Sequence, residues 1–141
     1  MTRGFSLIEL VLTCALLGLV AGIAVPRTHD ALNAIRVAQA GHEVAAALTI
    51  GRAAAIRRSD YARVVVDEVS GSIRVESGID TLLLRPLREM HRVSLRASRD
   101  TVTYSPTGLG YGVSNSTIVV SLGARAETVT VSRLGRTRRS W

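Results

Sequence analysis

Gly4-Phe5-Ser6-Leu7-Ile8-Glu9-Leu10 opens the stretch that decides the fold. From Phe5 to Val25 the chain reads FSLIELVLTCALLGLVAGIAV, an apolar run broken by one charge, Glu9. Wound as a helix at 1.5 Å per residue, it reaches roughly 30 Å, the thickness of a bilayer core. A helix packed inside a soluble protein is rarely apolar all round for so long. The run is therefore read as a membrane segment. Ahead of it, Met1-Thr2-Arg3-Gly4 carries one positive charge; behind it comes Val25-Pro26-Arg27-Thr28, with no A-x-A cleavage site. By ordinary rules this is an uncleaved signal-anchor, and Arg3 and Arg27 balance each other across it.

Glu9 needs a partner or an exit. A carboxylate at the centre of a spanning helix costs roughly 2.5–3.5 kcal/mol. Lying about one turn inside the run, Glu9 can reach the interface. It can also pair with a cation. If the chain were cut after Gly4, Phe5 would carry a free amine, and a neighbouring copy shifted by about a turn would set that amine beside this carboxylate.

These residues carry a resemblance. Gly4-Phe5-Ser6-Leu7-Ile8-Glu9-Leu10 resembles the class III prepilin signal of type IV pilins and type II secretion pseudopilins. The resemblance implies that a membrane prepilin peptidase cuts after Gly4 on the cytoplasmic side. It implies that Phe5 becomes the methylated N-terminus and that Glu9 registers subunits in a filament. Pro26 sits where such helices commonly carry a kinking proline.

The remaining sequence has a different character. Asp30 is a candidate N-cap for a second helix, although one continuous helix fits as well. Ala34, Val37, Ala38, Gly41, Val44, Ala45, Leu48, Ala55 and Ile56 recur at three- and four-residue steps, with Arg36, Gln39, His42, Glu43 and Arg57 mostly opposite. From Ser59 the period becomes two. Arg63–Val66, Ser72–Val75, Arg92–Leu95, Val102–Tyr104, Thr117–Leu122 and Thr128–Ser132 read as short strands. Ser70-Gly71, Ser105-Pro106-Thr107-Gly108, Gly110-Tyr111-Gly112 and Leu134-Gly135 are the turns between and beyond them. Short spacing favours an antiparallel sheet over βαβ units.

The expected fold class is α+β and pilin-like: a long N-terminal helix, transmembrane in its first half, packed on a small antiparallel β-sheet domain. The expected divisions are a cleaved leader at 1–4, a transmembrane helix at 5–26, its amphipathic continuation at 27–58, and a periplasmic β domain with an arginine-rich tail at 59–141. The later motifs sharpen the resemblance. Ala53-Ala54-Ala55-Ile56-Arg57-Arg58, Val102-Thr103-Tyr104-Ser105-Pro106-Thr107-Gly108 and Val129 to Arg138 (VTVSRLGRTR) are similar to the GspH/FimT branch of minor pseudopilins and minor pilins. Tyr104 departs from that branch, where phenylalanine is common.

Composition bounds the chemistry. The chain has 141 residues, 47% hydrophobic and 4% aromatic, which excludes disorder and argues against an aromatic-lined pocket or base-stacking platform. A single cysteine, Cys14, rules out an internal disulfide, including the C-terminal one of many major pilins. His29, His42 and His91 lack metal-ligand spacing. Gly108-Leu109-Gly110-Tyr111-Gly112 lacks the strand–turn–helix setting of a dinucleotide site and reads as a hairpin loop. Asn115-Ser116-Thr117 is a sequon with no expected use in a protein bearing a prepilin signal. No catalytic residue, metal site or cofactor is expected.

The net charge is +7, and all 18 basic residues are arginine. A GC-rich genome accounts for that choice, while planar guanidinium forks also suit phosphate and carboxylate. Arg133, Arg136, Arg138 and Arg139 crowd the last nine residues with no acid among them. Arg133, Arg136 and Arg138 read as solvent-facing positions around a final strand; alternatively the cluster is a phosphate-binding stripe. Some FimT-like members resemble DNA receptors, which implies Arg136, Arg138 and Arg139 as contacts, with Arg133 in support.

The sequence thus predicts a non-catalytic minor subunit of a type II secretion pseudopilus or type IV pilus. Its expected place is the bacterial inner membrane, with the β domain in the periplasm or outside. Expected partners are prepilin peptidase, other pilins or pseudopilins, and the cytoplasmic membrane. The alternative is a minor pilin that binds double-stranded DNA for uptake.

Overall fold

The computed structural model describes residues 6–141, with the side chains of residues 23–26 outside the description. Gly4 and Phe5, the expected cleavage and methylation positions, lie outside the described residues. Helix α1 runs over Leu7–Arg58, 52 residues. It passes through Asp30, so the continuous helix is the form adopted and Asp30 caps nothing. Internal packing divides the chain between Leu32 and Asn33 into two compact units.

In the first unit the described helix residues are exposed, among them Leu7, Ile8, Leu12, Leu17 and Leu19. This helix is long and apolar enough to cross a membrane. One polar interruption is internally quieted: the Thr13 hydroxyl donates to the Leu10 carbonyl at 2.8 Å.

In the second unit α1 buries Val37, Ala40, Gly41, Val44, Ala47, Leu48, Gly51, Ala54 and Ala55. This stripe is rotated slightly from the expected one. Ala34, Ala38 and Ala45 are half-buried at its margin, and Ile56 is exposed. Ile56 sits over the rim of the domain, where its Cδ1 would lie 2.7 Å from a Cβ added at Gly108. Small residues let the helix approach closely. A Cβ at Gly51 would stand 2.5 Å from Val64 Cγ2, inside van der Waals contact.

The β domain holds two four-stranded sheets, and every strand pairing is antiparallel. The strands are β1 Ala62–Asp67, β2 Ser72–Ser77, β3 Asp80–Arg85, β4 Ser94–Ala97, β5 Thr101–Tyr104, β6 Ser116–Leu122, β7 Arg125–Val131 and β8 Thr137–Ser140. One sheet has the order β3-β2-β1-β5 and the other β4-β6-β7-β8. A short helix α2, Leu87–His91, joins β3 to β4. Arg92 caps it in the left-handed region at φ 59°, so the expected strand at Arg92–Leu95 begins instead at Ser94.

One apolar core joins the helix stripe to both sheets. Val64 and Val66 from β1, Ile73 and Val75 from β2, Ile118 and Val120 from β6 and Val129 from β7 are all buried within it. Each such side chain contributes roughly 1.5–3 kcal/mol against exposure. Tyr104 is the largest of the fully buried side chains. Burial pushes its phenol up to about 12, with Arg52 pulling weakly the other way. The chain is thus a long N-terminal helix packed on an antiparallel β domain, the expected α+β class.

Candidate functional site: the uncovered helix and the arginine tail

Two features gather the residues singled out by sequence. The first is the uncovered helix. Glu9 lies exposed in the first turn of α1, where its charge complements the helix dipole. Among the described residues no cation stands within ion-pair distance of it. Cys14 is exposed on the same helix.

The second is the tail, which is held by a specific scaffold. The Ser132 amide donates to the Arg136 carbonyl at 2.9 Å, closing a turn through Gly135 at φ 71°. Gly135 is required there twice over, since a Cβ would also come within 2.9 Å of the Gly108 carbonyl. Arg52 of α1 donates from Nε to that same carbonyl at 3.0 Å. The Gly110 amide donates to the Arg133 carbonyl at 2.9 Å. Helix, loop and tail therefore meet at one junction.

The tail arginines do not act as one group. Strand β8 alternates, so Arg138 projects outward and Arg139 inward. Arg133, Arg136 and Arg138 are exposed and make no ion pair among the described residues. Arg139 instead donates from Nε to Oε1 of Glu127, whose side chain is fully buried. Its Nη2 donates to the Ala38 carbonyl of α1 at 3.3 Å. Of the three arginines expected as DNA contacts, Arg139 thus differs from Arg136 and Arg138 in having an acid partner, which comes from β7. The neighbouring helix residue is Gly41, where a Cβ would stand 2.5 Å from Glu127 Oε2.

The outer face of the second sheet is continuous with Arg138. Register places Arg96, Val119, Thr128 and Ser140 in one row, and Thr117, Thr130 and Arg138 in the next. Ser94, Ser121 and Ala126 form a third, with the Ser94 and Ser121 hydroxyls 2.9 Å apart. A groove of about 590 Å³ at the end of β6, β7 and β8 is lined from both sides of the sheet, by Thr117, Thr130 and Arg138 and by Ser116, Val131 and Thr137 among others. Arg96 was not among the sequence candidates. Its signal is the alternation Ser94-Leu95-Arg96, visible only once β4 has its correct register.

The histidines are dispersed differently from their sequence positions. His42 and His91 line one groove with Gln39, Glu43 and Ala46, while His29 lies exposed in the other unit. Glu43 is committed to Arg85 at 3.0 Å. No group of three or more His, Cys, Asp or Glu suited to a metal occurs among the described residues. Asp67 closes a turn by accepting the Ser70 and Val69 amides at 3.1 and 2.9 Å, and the Ser70 bond leads in holding its carboxyl below the ordinary range.

Two crystal structures of the type IV minor pilin FimU from Pseudomonas aeruginosa PAO1 are similar in fold. One has a TM-score of 0.64 at 13% identity, covering 74% of this chain and 87% of that one. The second, from another crystal form, has a TM-score of 0.60 at 13% identity, covering 72% and 90%. No protein-family model and no curated protein sequence matches the chain at a significant level.

Proposed function

We propose that this chain is a non-catalytic minor pilin-type subunit of the GspH/FimT kind, built into a filament through its N-terminal helix. Prepilin peptidase cuts after Gly4 and Phe5 is methylated. Residues 5–26 hold the subunit in the inner membrane before assembly, residues 27–58 continue the helix, and residues 59–141 form the periplasmic β domain. The carrying observation is the unequal helix: one stretch is apolar and uncovered, while the other packs beneath a β domain of minor-pilin fold.

Assembly then needs no chemistry beyond burial. Neighbouring helices cover the apolar surface, and the amine of one copy offsets Glu9 of the next. Likeness to the fold of a type IV minor pilin supports a pilin-type filament, and a type IV pilus and a type II secretion pseudopilus both fit it. The DNA-uptake alternative has Arg133, Arg136 and Arg138 as candidate contacts free of acid partners among the described residues, with Arg139 paired to Glu127 beside them.

Glu9→Ala tests the reading. The variant should accumulate in the membrane with its β domain folded and vanish from sheared filaments. Its incorporation at the wild-type level would refute the proposal.

A further inference from the structure

The outer face of the β4-β6-β7-β8 sheet has a composition that filament assembly does not use. Its side chains are Ser94, Arg96, Thr117, Val119, Ser121, Ala126, Thr128, Thr130, Arg138 and Ser140. No acid projects from these positions, and hydroxyls fill the space between two arginines at opposite edges. Three strand spacings separate β4 from β8, roughly 14 Å. At the β4 margin the Glu68 carboxylate accepts the Ala97 amide at 2.6 Å. The hydroxyls of Thr117, Thr128 and Ser140 make no hydrogen bond within the protein among the described residues. The Thr130 hydroxyl reaches the Arg138 carbonyl only at 3.4 Å.

We propose that this face binds an extended anionic polysaccharide, of the uronic-acid class, lying across the strands. The argument is one of charge and hydroxyl pattern. Such a chain carries carboxylates on a hydroxyl-rich backbone, and a stretch of several sugars reaches from Arg96 to Arg138 across the threonines and serines between them. Arg96 and Arg138 each present a planar fork for a carboxylate, and Arg136 adds a third cation beside the groove. Thr117, Thr128 and Thr130 supply donors and acceptors in two rows, held rigid because their strands are central in the sheet. Duplex DNA fits less well, because its phosphates would engage the arginines and leave the hydroxyl rows between them without partners. Single strands lack a stacking surface, since no aromatic projects from the face. The inference is independent of how the helix assembles.

The test uses the full chain in detergent and three probes: polygalacturonate, uncharged dextran and duplex DNA. Polygalacturonate should bind and dextran should not. The Arg96→Gln/Arg138→Gln variant should lose roughly tenfold or more in affinity, each arginine–carboxylate bond being worth about that factor. Thr117→Val/Thr128→Val should weaken binding without changing its salt dependence. Arg63→Gln/Arg74→Gln removes the same charge from the other sheet and should leave binding intact. Equal losses in both arginine pairs would reduce the effect to net charge and overturn the proposal. Binding of duplex DNA with none of polygalacturonate would overturn it as well. Unchanged circular dichroism and melting temperature separate these outcomes from misfolding.

Discussion

Arg139 and Glu127 form an ion pair that locks the last strand to the helix. The carboxylate side chain is 0% exposed and the guanidinium side chain 25%. One acid, one base and the Ala38 carbonyl thus join β7, β8 and α1 at a single point. Among the described residues Glu127 Oε2 has no partner, so the pair is satisfied on one side alone.

Removing the base should therefore be expensive. Arg139→Ala leaves a buried carboxylate uncompensated, a loss of about 3–5 kcal/mol. Glu127→Gln combined with Arg139→Gln should cost less than the sum of the two single changes, because the members share one interaction. Urea unfolding of the detergent-solubilised chain, followed by circular dichroism, measures both.

Gly41→Ala should destabilise despite alanine's better helix propensity. The added methyl meets Glu127 at 2.5 Å, and overpacking of this kind costs about 1–3 kcal/mol. Gly18→Ala is the contrast. Nothing lies within 4 Å of its added Cβ, so helicity should rise by up to about 1 kcal/mol. Melting temperatures of the two variants in one detergent should move in opposite directions.

Tyr104→Phe removes a buried hydroxyl that has no partner among the described residues. Stability near neutral pH should hold or increase by about 1 kcal/mol. The alkaline behaviour is more diagnostic. An exposed phenol ionises near pH 10, whereas folding raises Tyr104 to about 12. Above pH 10 the unfolded chain therefore holds fewer protons than the folded one, and stability falls as pH rises. The wild-type chain should lose about 2–3 kcal/mol through this group between pH 10 and 12. The phenylalanine variant should lack that part of the decline, read from the difference between the two unfolding curves.

Gly4→Val should block removal of the leader. Intact mass of the purified chain would then include Met1-Thr2-Arg3-Gly4 and show no methyl group. A mature, methylated terminus in this variant would contradict the proposed processing.

The sequence makes the helix plain because an uninterrupted apolar run and a small-residue stripe are both local signals. The positive-φ glycines at 71, 108, 112 and 135 likewise stand in the turns that local chemistry marks. Strands β3 and β8 are harder to see. Thr81-Leu82-Leu83-Leu84 at one sheet edge and Thr137-Arg138-Arg139-Ser140 at another have no clean alternation, since an edge strand buries little on either face. Helix α2 is five residues long and shows no full period. The split between Arg138 and Arg139 is invisible for a different reason. Two adjacent arginines look alike until register sets Glu127 diagonally across from one of them. The tail contains no acid, yet the acid that matters arrives from a neighbouring strand.

The bond from Arg139 to the Ala38 carbonyl spans 101 residues of sequence. At synthesis rates of roughly 5–20 residues per second, the helix waits on the order of 5–20 s for that partner to exist. Until then Val37, Val44 and Leu48 have only part of their cover. Biogenesis of this protein is thus a matter of timing: the membrane segment commits first, and the domain closes last. Any factor that shelters the helix stripe during that interval would act on yield rather than on the finished fold.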